Sequence, residues 1–162
     1  MLIIKKGLIG AALWLGFALT AVAVPSAGSV EGRVLGVSDG DTIYMMVNGE
    51  RVRMRLAEVD APEKGQPFGS VAEKILQSIV RGKHVRAVWR NKDGNNRPVV
   101  RLELGDMYVN AELVRLGFAW VDPRYLRTDG LEQYQVNAQQ AKLGLWADPD
   151  PIPPWTWRKM RK

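Results

Sequence analysis

Residues 41–59 read DTIYMMVNGERVRMRLAEV, two alternating segments joined by Asn48-Gly49. Asn-Gly tolerates positive φ at the centre of a two-residue turn, and the twist of such a turn matches that of antiparallel strands. The stretch is therefore a β-hairpin, Asp41–Val47 against Arg51–Val59. In its second arm Val52, Met54 and Leu56 share one face, while Arg51, Arg53 and Arg55 share the other. Side chains alternate across a strand, so the arm carries an apolar side and a cationic side. Ser29–Val37 alternates loosely ahead of the hairpin and adds a third strand to the meander.

Beyond the hairpin the period changes. Phe68–Lys83 places Val71, Ile75 and Ile79 four residues apart, the spacing of one helical face, and Gly82 ends that helix. His84–Arg90 and Arg97–Leu104 read as strands around the polar turn Lys92–Asn96. Asn110–Gly117 reads as a short helix with an Asn cap, and Leu131–Gly144 as a third. About five strands, with helices after the third and the fifth, predict an α+β fold: a five-stranded OB-type barrel with about three α-helices beside it. The domain is placed at residues 30–147. The tail 148–162 is expected to be extended, pinned by Trp155 and Trp157, with its last basic residues solvated.

The first residues stand apart. Lys5 and Lys6 precede an uncharged apolar run, residues 7–24, and Ala21-Val22-Ala23 fits a small-x-small cleavage pattern. Residues 1–23 are read as a cleaved secretory signal, with a retained membrane anchor as the alternative, and 24–29 as a linker. Either places the domain outside the cytoplasm, secreted or periplasmic, or tethered to the membrane. The chain has no cysteine, which excludes disulfides and thiolate metal sites. Its net charge is +6, a balance compatible with a polyanionic partner.

Asp41 opens one arm of the hairpin and Asp60 follows the other, so both fall at its open end. Two carboxylates there repel unless a proton or a cation intervenes. With one histidine and no cysteine in the chain, coordination is through oxygen, which suits Ca²⁺ better than Zn²⁺. Pro62 fixes the turn and leaves the Ala61 carbonyl available to the same ion. Glu63, three residues past Asp60, is within reach of a nearby water as a general base. Arg55 and Arg97 are positioned to bind phosphate oxygens with their guanidinium forks. Taken singly, an Asp-Gly-Asp turn or an arginine on a strand face is an ordinary surface feature; the weight lies in their collection at one barrel end.

The segments SDGDTI, RMRLAEVDAPE, NNRPVV, VNAELVRLGFAWV and AKLGLWADPDPIPPWTWRK resemble the staphylococcal nuclease family, in order, across nearly all of residues 32–157. The resemblance implies an OB barrel with three helices and calcium-dependent hydrolysis of DNA and RNA to 3′-phosphate and 5′-hydroxyl ends. By position it implies Asp41 and Asp60 as calcium carboxylates, Ala61 as a carbonyl ligand, Glu63 as general base, and Arg55 and Arg97 as phosphate clamps. The chain departs from the family where Tyr-Gly often precedes the second arginine, since Asn95-Asn96 stand there. A second family tyrosine falls at Pro123, leaving Tyr125 and Arg124 as candidates for substrate binding. His84 begins a strand and Glu112 with Arg115 forms a helical ion pair; neither is assigned chemistry. The chain is expected to act as a monomer. The rival reading is a catalytically inactive, extracytoplasmic OB module that only binds.

Overall fold

A computed structural model describes residues 25–161 except Leu126; the signal-or-anchor segment lies outside the described residues. The strands are β1 (Gly28–Asp39), β2 (Thr42–Val47), β3 (Glu50–Leu56), β4 (Val59–Asp60), β5 (His84–Lys92), β6 (Pro98–Leu104), β7 (Met107–Tyr108) and β8 (Trp120–Val121). The helices are α1 (Gly69–Val80), α2 (Val109–Arg115), α3 (Leu131–Gln140) and α4 (Pro154–Met160), with a 3-10 turn at Gly144–Ala147.

β2 and β3 form the expected hairpin, in register from Thr42↔Arg55 to Val47↔Glu50. Asn48 and Gly49 take φ of 50° and 84°, as a tight turn between twisted strands requires. β1 is long enough to serve two neighbours, β5 with residues 28–33 and β2 with residues 34–39. Register shifts within its second half let it bend around the barrel. The sheet runs β3-β2-β1-β5-β6-β7, and a parallel contact between β3 and β6, Arg55↔Val99 and Leu56↔Val100, closes it. Five strands thus make the closed OB barrel that the alternation predicts, with four helices rather than three among the described residues.

The barrel interior takes the inward faces of these strands. Ile43, Met45, Met54, Leu56, Val100 and Leu102 are at most 1 % exposed. α1 covers one opening with Ala72, Leu76 and Val80, and α2 contributes Leu113 and Val114. Burying each such large aliphatic side chain is worth about 1.5–3 kcal/mol, which is what holds the helices to the barrel.

Three expectations need correction. Strand three does not continue to Val59: it stops at Leu56, Glu58 takes a left-handed φ of 64°, and Val59–Asp60 forms a separate strand paired with β8. Asn110 is not a cap, because it lies inside α2 and is fully buried. Its amide donates to the carbonyls of Ala57 and Val100 and accepts from the Leu102 N–H, stitching α2 to the barrel seam. The tail is not extended throughout. Residues 154–160 form α4, entered through Pro154, whose fixed φ and missing N–H suit the first turn of a helix.

Candidate active site

The site lies at the open end of the β2–β3 hairpin. The Asp39-Gly40-Asp41 turn enters it from β1, β3 brings Arg55, and β4 brings Asp60. Gly40 is required here, since a Cβ would sit 2.6 Å from the Ala61 Cβ and 2.8 Å from that of Ala72. Close seating of that turn against Ala61 and α1 carries Asp41 to the β4 strand. β4 itself is held by β8, with Asp60 opposite Trp120.

Arg55 joins the two carboxylates. Its Nη1 lies 3.1 Å and 2.9 Å from the two oxygens of Asp41, and its Nη2 donates to Asp60 Oδ1 at 3.0 Å. Asp41 also accepts from the Thr42 hydroxyl at 2.9 Å and from the Ala61 N–H at 3.3 Å. Asp60 is fully buried and Asp41 nearly so. Burial pushes the Asp41 carboxyl up to about 7; Arg55 opposes that rise and the negative charges of Asp39 and Asp60 add to it. Arg55 is itself held more firmly protonated, because Asp41 and Asp60 outweigh its own burial.

Glu63 sits on the loop between β4 and α1. The Gln66 side chain accepts from its N–H at 3.0 Å, and Gly69 lies so close to its carbonyl that a Cβ there would overlap it. The loop is therefore folded tightly on itself, and Glu63 faces the same cleft as Asp41 and Arg55. This cleft has a volume of about 550 Å³.

Arg97 lines the same cleft but makes no contact with Asp41 or Asp60. Its Nε and Nη2 bind Asp93 Oδ2 at 2.7 and 2.6 Å, and Asp93 Oδ1 accepts the N–H groups of Asn95 and Arg97. Hydrogen bonds from Arg97 and the turn amides hold the Asp93 carboxyl below its usual range in spite of the opposing effect of burial. Asn96 takes φ of 59°, a left-handed conformation that asparagine tolerates better than most residues. Asn96 can therefore replace glycine in this turn without disturbing the approach to Arg97; Asn95 supplies no aromatic ring.

Arg124 and Tyr125 also line the cleft. Arg124 forks onto buried Asp122 at 2.9 and 2.7 Å, with its guanidinium 5.4 Å from the Tyr125 ring. Tyr125 is 54 % exposed, so its ring is open to a stacking partner. His84 is exposed at the start of β5, and Glu112 and Arg115 pair on the surface of α2.

Sequence reasoning missed several residues. Glu58 is buried and accepts hydrogen bonds from the Tyr108 hydroxyl, the Thr128 hydroxyl and the Arg127 N–H, tying the β3–β4 turn to the loop that carries Arg124 and Tyr125. No spacing pattern signals that contact across some seventy residues. Arg158 is not solvated at the chain end but reaches from α4 to Asp60 and Glu63. Pro153-Pro154 before a mixed apolar and basic run was the available sign of a helix there.

Among the described residues no group of three or more Asp, Glu or His side chains forms a ready-made metal cage. The donors that do converge are two buried carboxylates with like charge. Asp41's reluctance to ionise is the imbalance that a hard cation would relieve. An all-oxygen pair of this kind fits Ca²⁺ held jointly by protein, water and phosphate.

Residues 53–148 match the family model described as staphylococcal nuclease homologue. An uncharacterized endonuclease of Escherichia coli O157:H7 is 42% identical over 130 residues, covering 80% of this chain and 85% of that protein. An uncharacterized endonuclease of Haemophilus influenzae is 40% identical over 131 residues, covering 80% and 74%. A micrococcal nuclease of Shigella flexneri is 35% identical over 152 residues, covering 87% of each. With the barrel, the site geometry and these matches in agreement, the chain belongs to the staphylococcal nuclease family.

Proposed function

We propose that this protein is a calcium-dependent nuclease that hydrolyses phosphodiester bonds of DNA and RNA to 3′-phosphate and 5′-hydroxyl ends. The observation that carries the reading is the Asp41–Arg55–Asp60 bridge at one end of the barrel, in a cleft shared with Glu63 and Arg97. A binding module has no need of buried carboxylates facing a polyanion, because they repel phosphate unless a cation stands between. The secretory or anchoring reading of residues 1–23 supports an activity outside the cytoplasm; the protein is proposed, separately, to act as a monomer.

Asp41, Asp60 and the Ala61 carbonyl would hold the ion, which when bound supplies charge neutralisation and Lewis acidity at the scissile phosphate. Glu63 accepts a proton from water as that water attacks phosphorus in line with the 5′ oxygen. The P–O5′ bond breaks, the 5′ oxygen leaves and takes a proton from solvent, and the phosphate stays on the 3′ oxygen. Arg55 and Arg97 donate to the non-bridging oxygens, where negative charge builds. Tyr125, with Arg124 beside it, offers a ring for base stacking at the cleft edge.

The test is degradation of single-stranded DNA and of RNA by purified protein with Ca²⁺ and with a calcium chelator. Cleavage with Ca²⁺ that stops with the chelator is expected, with ends that a phosphatase must treat before 3′ extension. No cleavage in either condition by folded protein would leave the binding module as the function.

A further inference from the structure

The cleft contains a cation that neither the hairpin nor the β5–β6 turn supplies. Arg158, on α4, donates from Nη2 to Asp60 Oδ2 at 2.7 Å, and from Nη1 to Asp60 Oδ1 at 3.1 Å and to Glu63 Oε1 at 2.5 Å. One guanidinium thus spans two carboxylates three residues apart. Arg97 is tied to Asp93, and the arginine that grips Glu63 is Arg158.

The contact is built rather than casual. The tail that delivers Arg158 returns to the Glu63 loop at a second point, where the Gln66 amide donates to the Ile152 carbonyl at 2.6 Å. Trp155 packs edge-on against Trp120 at 5.7 Å, and Trp120 is the residue paired with Asp60 in the β4–β8 ladder. Pro154 is buried where α4 begins. Asp60, fully buried, is therefore held by Arg55 from the barrel and by Arg158 from the tail.

Glu63 is different. Its side chain is 39 % exposed on a loop, and Arg158 is its ion-pair partner. A glutamate in that setting samples several rotamers, and each one away from the water reduces its use as a base. A charge-assisted hydrogen bond from a fork already seated on Asp60 selects one direction.

We propose that Arg158 is a positioning residue of the nuclease site, fixing the Glu63 carboxylate relative to Asp60, so that the C-terminal segment carrying α4 is part of the active site. This rests on Glu63 acting as the base under the function proposed above. A lysine places a single point charge and cannot span both carboxylates with the same geometry.

The experiment is steady-state cleavage of single-stranded DNA at saturating Ca²⁺ by the full chain, wild type and Arg158→Gln, Arg158→Lys, Arg158→Ala and Glu63→Gln, with thermal midpoints recorded. Misplacing a reacting group costs up to about 10²-fold, so Arg158→Gln should lose roughly 10- to 100-fold in kcat while KM changes by less than about twofold. Arg158→Lys should fall between. Added guanidinium ion, kept well below denaturing concentration, should restore part of the rate to Arg158→Ala and none to Glu63→Gln, a response that a purely structural role would not produce. A kcat for Arg158→Gln within about twofold of wild type overturns the assignment. A loss confined to KM also overturns it, making Arg158 a substrate contact. An inactive but folded wild type, or a fully active Glu63→Gln, overturns the underlying nuclease reading instead and the assignment with it.

Discussion

Arg55 holds Asp41 and Asp60 at once, at 2.9 Å and 3.0 Å, although the two aspartates come from different strand ends nineteen residues apart. Removing one partner of a buried ion pair typically costs about 3–5 kcal/mol, because the remaining charge is left uncompensated. Arg158 still serves Asp60, so the exposed loss falls mainly on Asp41. Arg55→Gln should therefore lower the urea midpoint markedly in chelator, and Ca²⁺ should recover part of it through the same carboxylates. Turnover should fall by about 10²–10³, as when an oxyanion donor is removed. An unchanged midpoint in chelator would mean that Arg55 is not what balances this pair.

Asp41 gives the ion-free protein an unusual pH dependence. Its folded value of about 7 lies above the ordinary 3.8, so between those values the folded state binds more protons than the unfolded state. Stability then falls as pH rises through that window, by at most about 1.4 kcal/mol per pH unit for one group. Glu58, Asp93 and Asp122 are lowered and act in the opposite sense, but below their ordinary values near 4, outside the range from pH 5 to 7. In chelator the unfolding free energy should decline from pH 5 to pH 7 in wild type and stay level in Asp41→Asn. If Asp41 holds the ion as proposed, saturating Ca²⁺ should remove the decline by engaging the charged carboxylate. Equal slopes in the two proteins would rule out Asp41 as the titrating group.

The barrel was legible because its signal is local. Alternation and an Asn-Gly turn each occupy a few adjacent residues, and the hairpin register that follows brings Asp41 beside Arg55. The helical period of α1 was equally local, but the face it buries is Ala72, Leu76 and Val80, while Val71 of the expected stripe is exposed. Asp60 was legible for the same reason, although the break at Glu58 was not. A residue with no glycine character in a left-handed turn leaves no trace in composition, and its hydrogen-bond partners lie on a loop some seventy residues away. Asn110 looked like a cap because its type favours caps, but a buried seam with three unpaired backbone groups overrode that preference. Arg158 was hidden by similar logic: a basic residue near a chain end is usually solvated, and only the return of the tail to Gln66 and Trp120 gives it a buried carboxylate to meet.

Glu58 links chemistry to loop order. Burial works against its charge, but hydrogen bonds from Tyr108, Thr128 and Arg127 together lower its pKa below the ordinary value. A lowered acid stabilises the fold above its unfolded pKa, and that contribution is lost as pH falls through the folded value, here below about 4.5. Glu58→Gln turns one acceptor into a donor facing donors, at a cost of about 1–3 kcal/mol. Loosening of the loop should raise KM several-fold through Arg124 and Tyr125, with a smaller change in kcat. The thermal midpoint of the variant should be less sensitive to acid below pH 4.5 than that of wild type. A variant with wild-type KM would detach this network from substrate binding.

Asp93 should act on the reaction only through Arg97. It does not touch the Asp41–Arg55–Asp60 bridge, yet its carboxylate takes two guanidinium nitrogens of Arg97 and two backbone N–H groups of the turn. Removing it leaves the arginine in place but free to swing, so kcat in Asp93→Ala should fall by about tenfold through lost preorganisation. Arg97→Gln should fall further, by about 10²–10³. If one residue works through the other, the two losses cannot add, because an absent guanidinium gains nothing from being held. The double variant Asp93→Ala/Arg97→Gln should therefore be no slower than Arg97→Gln alone, measured as kcat on single-stranded DNA at saturating Ca²⁺. Losses that multiply would show that Asp93 contributes independently, through the shape of the turn or the charge of the cleft.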